Sequence, residues 1–152
     1  MIKNLIENSY NQIFNKLHEI TEGNVIIGGS ISLLILGIID RKCDDLDIML
    51  TSDDWVKYKT SLESNFRIIP TLQIKYKELD YDVYTCFDKV TKMNEFHLFV
   101  NKGQEIYLEF NGFRVFNPKI HLIDKEMIAE SGQDSDKHYQ DICHIKRFLN
   151  DK

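Results

Sequence analysis

The chain has 152 residues, 43% of them hydrophobic, which suffices for one compact domain with a core that needs no disulfide or structural metal. Its formal charge of -5 excludes a general attraction for polyanions, although a local basic strip could still meet RNA or a triphosphate. Three cysteines, Cys43, Cys86 and Cys143, form no CxxC pair and are odd in number, which argues against a disulfide framework and a zinc ribbon and leaves free thiols.

Ile2, Leu5, Ile6, Ile13, Phe14, Leu17 and Ile20 recur at helical spacing, so the pattern predicts a first amphipathic helix to about residue 21, stopped by Gly23. Residues 24–27 form a short β-branched run that ends at Gly28-Gly29, where a strand must turn sharply, and Ser30 is placed to cap the next helix. Residues 31–39 are almost continuously apolar and read as a buried helix broken by Gly37. Asp40, Arg41 and Lys42 interrupt this most apolar segment, so it falls short of the roughly 18 residues needed to cross a bilayer. A soluble, cytoplasmic protein is therefore expected.

Leu46, Ile48 and Leu50 alternate with Asp45, Asp47 and Met49, the period of a strand with one buried face. Thr51 or Ser52 can cap a third helix that carries Asp53 and Asp54 in its first turn and ends near Asn65. The middle reads as strands at 67–71, 73–76, 81–87, 96–100, 105–110 and 113–116, mostly antiparallel, with turns at 101–103 and at Asn111-Gly112. Pro118 opens a helix with Ile120, Ile123, Met127 and Ile128, broken at Ser131-Gly132. A last helix over 135–149 is expected to bury Tyr139, Ile142, Ile145 and Leu149. No repeat or linker divides this single α+β domain over 1–152.

The chemistry sits in two short stretches. In Asp45-Leu46-Asp47-Ile48 a period of two puts both carboxylates on one face of a strand, while Leu46 and Ile48 anchor the other. Two like charges held so close call for a cation, and hard Mg²⁺ prefers carboxylate oxygen. Gly28-Gly29-Ser30 leads into a helix and offers unpaired N–H groups, a small hydroxyl and the positive end of a helix dipole, all suited to phosphate. Each piece has an ordinary counterpart: Gly-Gly-Ser is also a common strand-to-helix turn, and clustered aspartates also line solvated loops. The Asp cluster lacks the spacing of an EF-hand loop.

Together they read Val25-Ile26-Ile27-Gly28-Gly29-Ser30, then fourteen residues, then Asp45-Leu46-Asp47-Ile48. This resembles the nucleotidyltransferase superfamily, with the DNA polymerase beta-like fold, in which a hydrophobic strand, Gly-Gly or Gly-Ser, a helix and a strand bearing Asp-x-Asp occur in that order. Gly37 and Arg41 look like the small single-domain members and the antibiotic-modifying enzymes. The resemblance implies a mixed, mostly antiparallel sheet packed with helices and closed by C-terminal helices. It implies two metal ions, Mg²⁺ or Mn²⁺, on Asp45, Asp47 and a third carboxylate, with Gly28, Gly29, Ser30 and Arg41 at the nucleotide. Asp82 in Tyr81-Asp82-Val83-Tyr84 is the best match for the third carboxylate, with Asp80 and Glu109 as rivals. Less sharply, Asn111 to Val115, Lys125 and Lys137 to Ile142 look like the ending of small members; Lys137 and Asp141, four apart, also suit a surface ion pair.

The activity this implies is transfer of a nucleoside monophosphate from an NTP, ATP-like or other, to an acceptor hydroxyl on RNA or tRNA, a protein or a small molecule, with release of pyrophosphate. The size leaves little room for a separate acceptor domain, so a second copy or a partner protein could grip the acceptor. The rivals are a non-catalytic module of the same fold that binds a nucleotide or a protein, and a nucleic-acid binder using the late basic helix.

Overall fold

The computed structural model describes residues 4–40, 46–76, 79–87, 97–99, 105–130 and 135–150. The expected turns at 101–103 and 131–132 lie outside them, as do Arg41, Cys43, Asp45 and Phe96. The elements run α1 (Asn4–Ile20), β1 (Ile26–Gly28), α2 (Gly29–Ile35), β2 (Leu46–Thr51), α3 (Ser52–Asn65), β3 (Arg67–Tyr76) and β4 (Leu79–Phe87). They continue with β5 (His97–Phe99), β6 (Tyr107–Phe110), β7 (Phe113–Phe116), α4 (Pro118–Glu130) and α5 (Ser135–Asn150). Among the described residues these form an α+β fold around one seven-stranded sheet of order β5-β3-β4-β2-β1-β7-β6. Two pairings, β1 with β7 and β3 with β5, are parallel and the rest antiparallel. No helix among these residues is long and apolar enough to cross a membrane.

Local chemistry explains the boundaries. At the end of α1 the Gly23 N–H donates to His18 O at 2.8 Å and the Glu22 N–H to Glu19 O at 3.3 Å, with left-handed φ values of 54° and 82° at Glu22 and Gly23. This paired closure satisfies carbonyls the helix would otherwise leave open. Gly37, at φ 75°, closes α2 the same way, its N–H on Leu34 O and that of Ile38 on Leu33 O. That helix is therefore shorter than the apolar run predicts. Its start also differs: Gly28 is the N-cap and makes no side-chain cap, so Ser30 stands inside the first turn. Thr51 does cap α3, accepting the Asp54 N–H at 3.1 Å.

The two strands expected at 67–71 and 73–76 are one strand, β3, whose register slips between Pro70 and Leu72. Proline has no N–H for the ladder, so the irregularity falls there without ending the strand. Asn111 and Gly112 turn β6 into β7 with φ of 50° and 84°, as the dipeptide predicts.

One sheet face carries Ile27, Leu46, Ile48, Leu50, Tyr84 and Val115, all buried in one core cluster that includes Phe14 and Leu17 of α1 and Tyr58 and Leu62 of α3. Trp55 stacks on Tyr84 with ring centroids 4.1 Å apart, and Phe14 meets Phe113 edge-on. The opposite face is also covered: Ile26, Met49 and Phe116 are buried, and His121 of α4 leans on Phe116 with centroids 5.5 Å apart. The strand β2 is thus buried on two sides over much of its length, more than its alternation predicts. Helix α5 differs from expectation too. It buries Asp141, Ile142 and Ile145, while Tyr139 is 54% exposed, because an arc centred on those three leaves position 139 roughly 110° away.

Candidate functional site

The strand β1 lies between β2 and β7, and its pairing with β2 sets Gly28 opposite Asp47. The two halves of the sequence motif are therefore joined by a backbone register, although fourteen residues separate Ser30 from Asp45 in the chain. One residue on, the chain turns into α2 through Gly29 at φ 60°, a left-handed conformation that costs an L side chain about 1–2 kcal/mol. A Cβ at Gly29 would stand 2.9 Å from Asp47 Cγ and 3.0 Å from its Cβ, and nearer still to Oδ2. Glycine is required there twice over, by φ and by the carboxylate lodged against it. Gly28 is less demanding, since a Cβ there would meet Met49 Sδ at 3.4 Å and the Asp47 carbonyl at 3.7 Å.

Asp47 is half-buried, as are Gly29 and Ser30, so this corner of the fold is fixed in place and not fully sealed. A carboxylate set against a side-chain-free turn suits a hard divalent cation, whose remaining positions water and phosphate oxygens can fill. Asp45 and Arg41 are outside the described residues. Among those described, no group of three or more His, Cys, Asp or Glu converges in a way that could hold a metal.

The register does not bring position 82 to Asp47. Asp47 pairs with Thr85, whereas Asp82 pairs with Leu50 on one side and Gln73 on the other. Cross-strand partners share a sheet face and faces alternate along a strand. Position 82 therefore falls in the set of Leu46, Ile48 and Leu50, and position 47 in the set of 81, 83 and 85. Asp80 has the parity of 82 and pairs with Lys75. Glu109 has the parity of 47, by way of Arg114, Ile26 and Met49, yet it is exposed on the edge strand β6, three strands from β2. None of the three rivals for a third carboxylate stands beside Asp47 in this register. Order along the chain favours Asp82; the pairing offset of three residues is what order cannot reveal.

Behind the turn lies a buried polar chain that sequence reasoning missed. The Ser32 hydroxyl, fully buried in α2, donates to Gly29 O at 2.6 Å. His121 Nδ1 of α4 lies 3.4 Å from the same Ser32 oxygen, and His121 is 3% exposed. One turn further along α4, Lys125 Nζ meets Asp141 Oδ2 of α5 at 3.0 Å, both side chains almost wholly buried. Asp141, expected in a surface ion pair with Lys137, is buried instead and meets Lys125; the Lys137 side chain lies outside what the structure describes. A signal was present: Ser32 and His121 are lone polar residues inside otherwise apolar helical arcs. Away from the site, a hydrogen bond from the Tyr58 hydroxyl at 2.6 Å and one from Lys57 at 3.2 Å hold the Glu22 carboxyl below its ordinary range.

Comparison of the chain with protein-family models, with curated proteins and with solved structures finds no match.

Proposed function

We propose that the chain is a metal-dependent nucleotidyltransferase that moves a nucleoside monophosphate from an NTP to an acceptor hydroxyl. The observation that carries this reading is the contact between Gly29 and Asp47, which makes a tight glycine turn and a strand carboxylate into one local unit. Backbone N–H groups of Gly28, Gly29 and Ser30 would hold the triphosphate, and Arg41 would offer its guanidinium fork to a phosphate. Asp45 and Asp47 would hold the divalent cations, which, when bound, neutralise the triphosphate and ease loss of the acceptor proton. The acceptor oxygen then bonds to the α-phosphorus in line as its bond to the bridging oxygen breaks, and pyrophosphate leaves with that electron pair. What the protein contributes is position and charge more than proton transfer. The acceptor class, an RNA or tRNA end, a protein or a small molecule, is open within this reading.

The test is incubation with Mg²⁺, each labelled NTP and either total tRNA or lysate, using the wild type, Asp45→Ala and Asp47→Ala. Outer-shell residues of metal sites typically contribute about 10–100-fold, so loss of a ligand itself should cost more. Transfer unchanged in both variants sinks the assignment.

The three-residue offset between Asp47 and Asp82 favours a second reading, a non-catalytic module of the same fold that binds a nucleotide without turning it over. Metal-dependent NTP binding with no labelled product from any acceptor would select it.

A further inference from the structure

We propose that His121 is a positioning residue for Asp47, acting through Ser32 and the Gly29 turn; the inference rests on Asp47 being a metal ligand. A serine hydroxyl carries one proton. Here that proton is given to Gly29 O at 2.6 Å, so the Ser32 oxygen faces His121 Nδ1, at 3.4 Å, with lone pairs only. Two lone pairs in a buried site would repel. The contact is attractive when Nδ1 carries the ring proton and donates it to Ser32, which fixes the imidazole tautomer.

A serine bonded to a carbonyl one turn back is common in helices and by itself does nothing beyond local structure. Two further observations set this one apart. The second partner comes from a helix 89 residues away in sequence, and the carbonyl being held belongs to the residue whose bare Cα face abuts Asp47. The imidazole is also confined, between Phe116 on the sheet and a helix pinned one turn on by the Lys125–Asp141 pair. The linkage runs from α5 through α4, His121, Ser32 and Gly29 to the carboxylate. A shift of the turn would change the room left for Asp47, because its carboxylate occupies the space that a Cβ at Gly29 would need.

The test uses the full chain and three variants, His121→Leu, His121→Asn and Ser32→Ala. The asparagine amide can present an N–H near the position of Nδ1, whereas leucine cannot. Free Mn²⁺ measured by electron paramagnetic resonance gives the affinity, and amide exchange at Gly29 and Ser30 without metal reports the turn directly. His121→Leu and Ser32→Ala should weaken Mn²⁺ binding about 10-fold and speed exchange at the turn, and His121→Asn should restore both. Wild-type affinity and exchange in His121→Leu and Ser32→Ala, or no rescue by asparagine, would overturn the proposal. If His121→Leu fails to fold, Ser32→Ala and the ¹⁵N imidazole shifts of the wild type still decide, since an unprotonated Nδ1 refutes the linkage. If the wild type binds no Mn²⁺, the metal role of Asp47 fails, and altered exchange with asparagine rescue tells whether His121 holds the turn.

Discussion

Replacing Gly29 with alanine separates two costs that the structure assigns to one position. The first is backbone: at φ 60° an L residue loses about 1–2 kcal/mol. The second is steric, because the new Cβ would stand 2.9 Å from Asp47 Cγ, and forcing extra volume into a packed place typically costs about 1–3 kcal/mol. Gly37 supplies the control, with φ 75° and nothing within 4 Å of a built Cβ. Gly37→Ala should show the backbone cost alone and Gly29→Ala a total of about 2–5 kcal/mol. Urea unfolding at constant m reads both. In an Asp47→Ala background the excess at position 29 should mostly vanish, since Cγ and both oxygens are gone, giving a coupling of about 1–3 kcal/mol. Equal losses at 29 and 37, or an excess that persists without the Asp47 carboxylate, would refute the close approach on which the site is built.

Thr51→Ala removes the acceptor for the Asp54 N–H and should destabilise by about 1 kcal/mol in the same assay, with Thr51→Ser nearly neutral. Lys125→Met removes the ammonium that meets buried Asp141 at 3.0 Å and should cost about 3–5 kcal/mol, while Lys125→Met with Asp141→Leu recovers most of it. Asp82→Ala should retain far more nucleotide transfer than Asp47→Ala, given the register, and equal losses would restore Asp82 to the metal site. Glu22, held below its ordinary range first by Tyr58 and then by Lys57, contributes stability that is full above the ordinary carboxylate range and lost as pH falls through its folded value. Urea midpoints of wild type and Glu22→Gln should therefore differ near neutrality and converge in strong acid, by a small amount because the pair is exposed.

The elements are largely legible because their signals are local. Gly23, Gly37, Thr51 and Asn111-Gly112 each declare a boundary through a φ value or a cap that one residue type favours. The pairing of Gly28 with Asp47 is legible in part, since the motif implies proximity though not the contact at Gly29. What cannot be read is whatever depends on offset or on helix rotation. A strand's sequence announces its alternation but not which neighbour's row it joins, so order matches Asp82 to Asp47 while the register sets it three rows away. Apolar spacing alone puts Tyr139 inside; Asp141, drawn in by Lys125, sets the arc instead. Ser32 and His121 look like blemishes in apolar runs, and only the third dimension turns them into neighbours.

The parallel pairing of β1 with β7 also constrains how the molecule is made. Residues 26–51 can assemble β1, α2 and β2 early, since the ends of that segment are close in sequence and closing a short loop costs little entropy. The register Ile27 to Val115 joins distant parts of the chain and is expected to form late. His121 follows β7 in the chain, and its contact with Ser32 spans 89 residues, so it too is expected to form late. During synthesis the glycine turn and its carboxylate would exist before the helix that braces them, and a chain arrested before β7 should carry the motif with an unfastened turn.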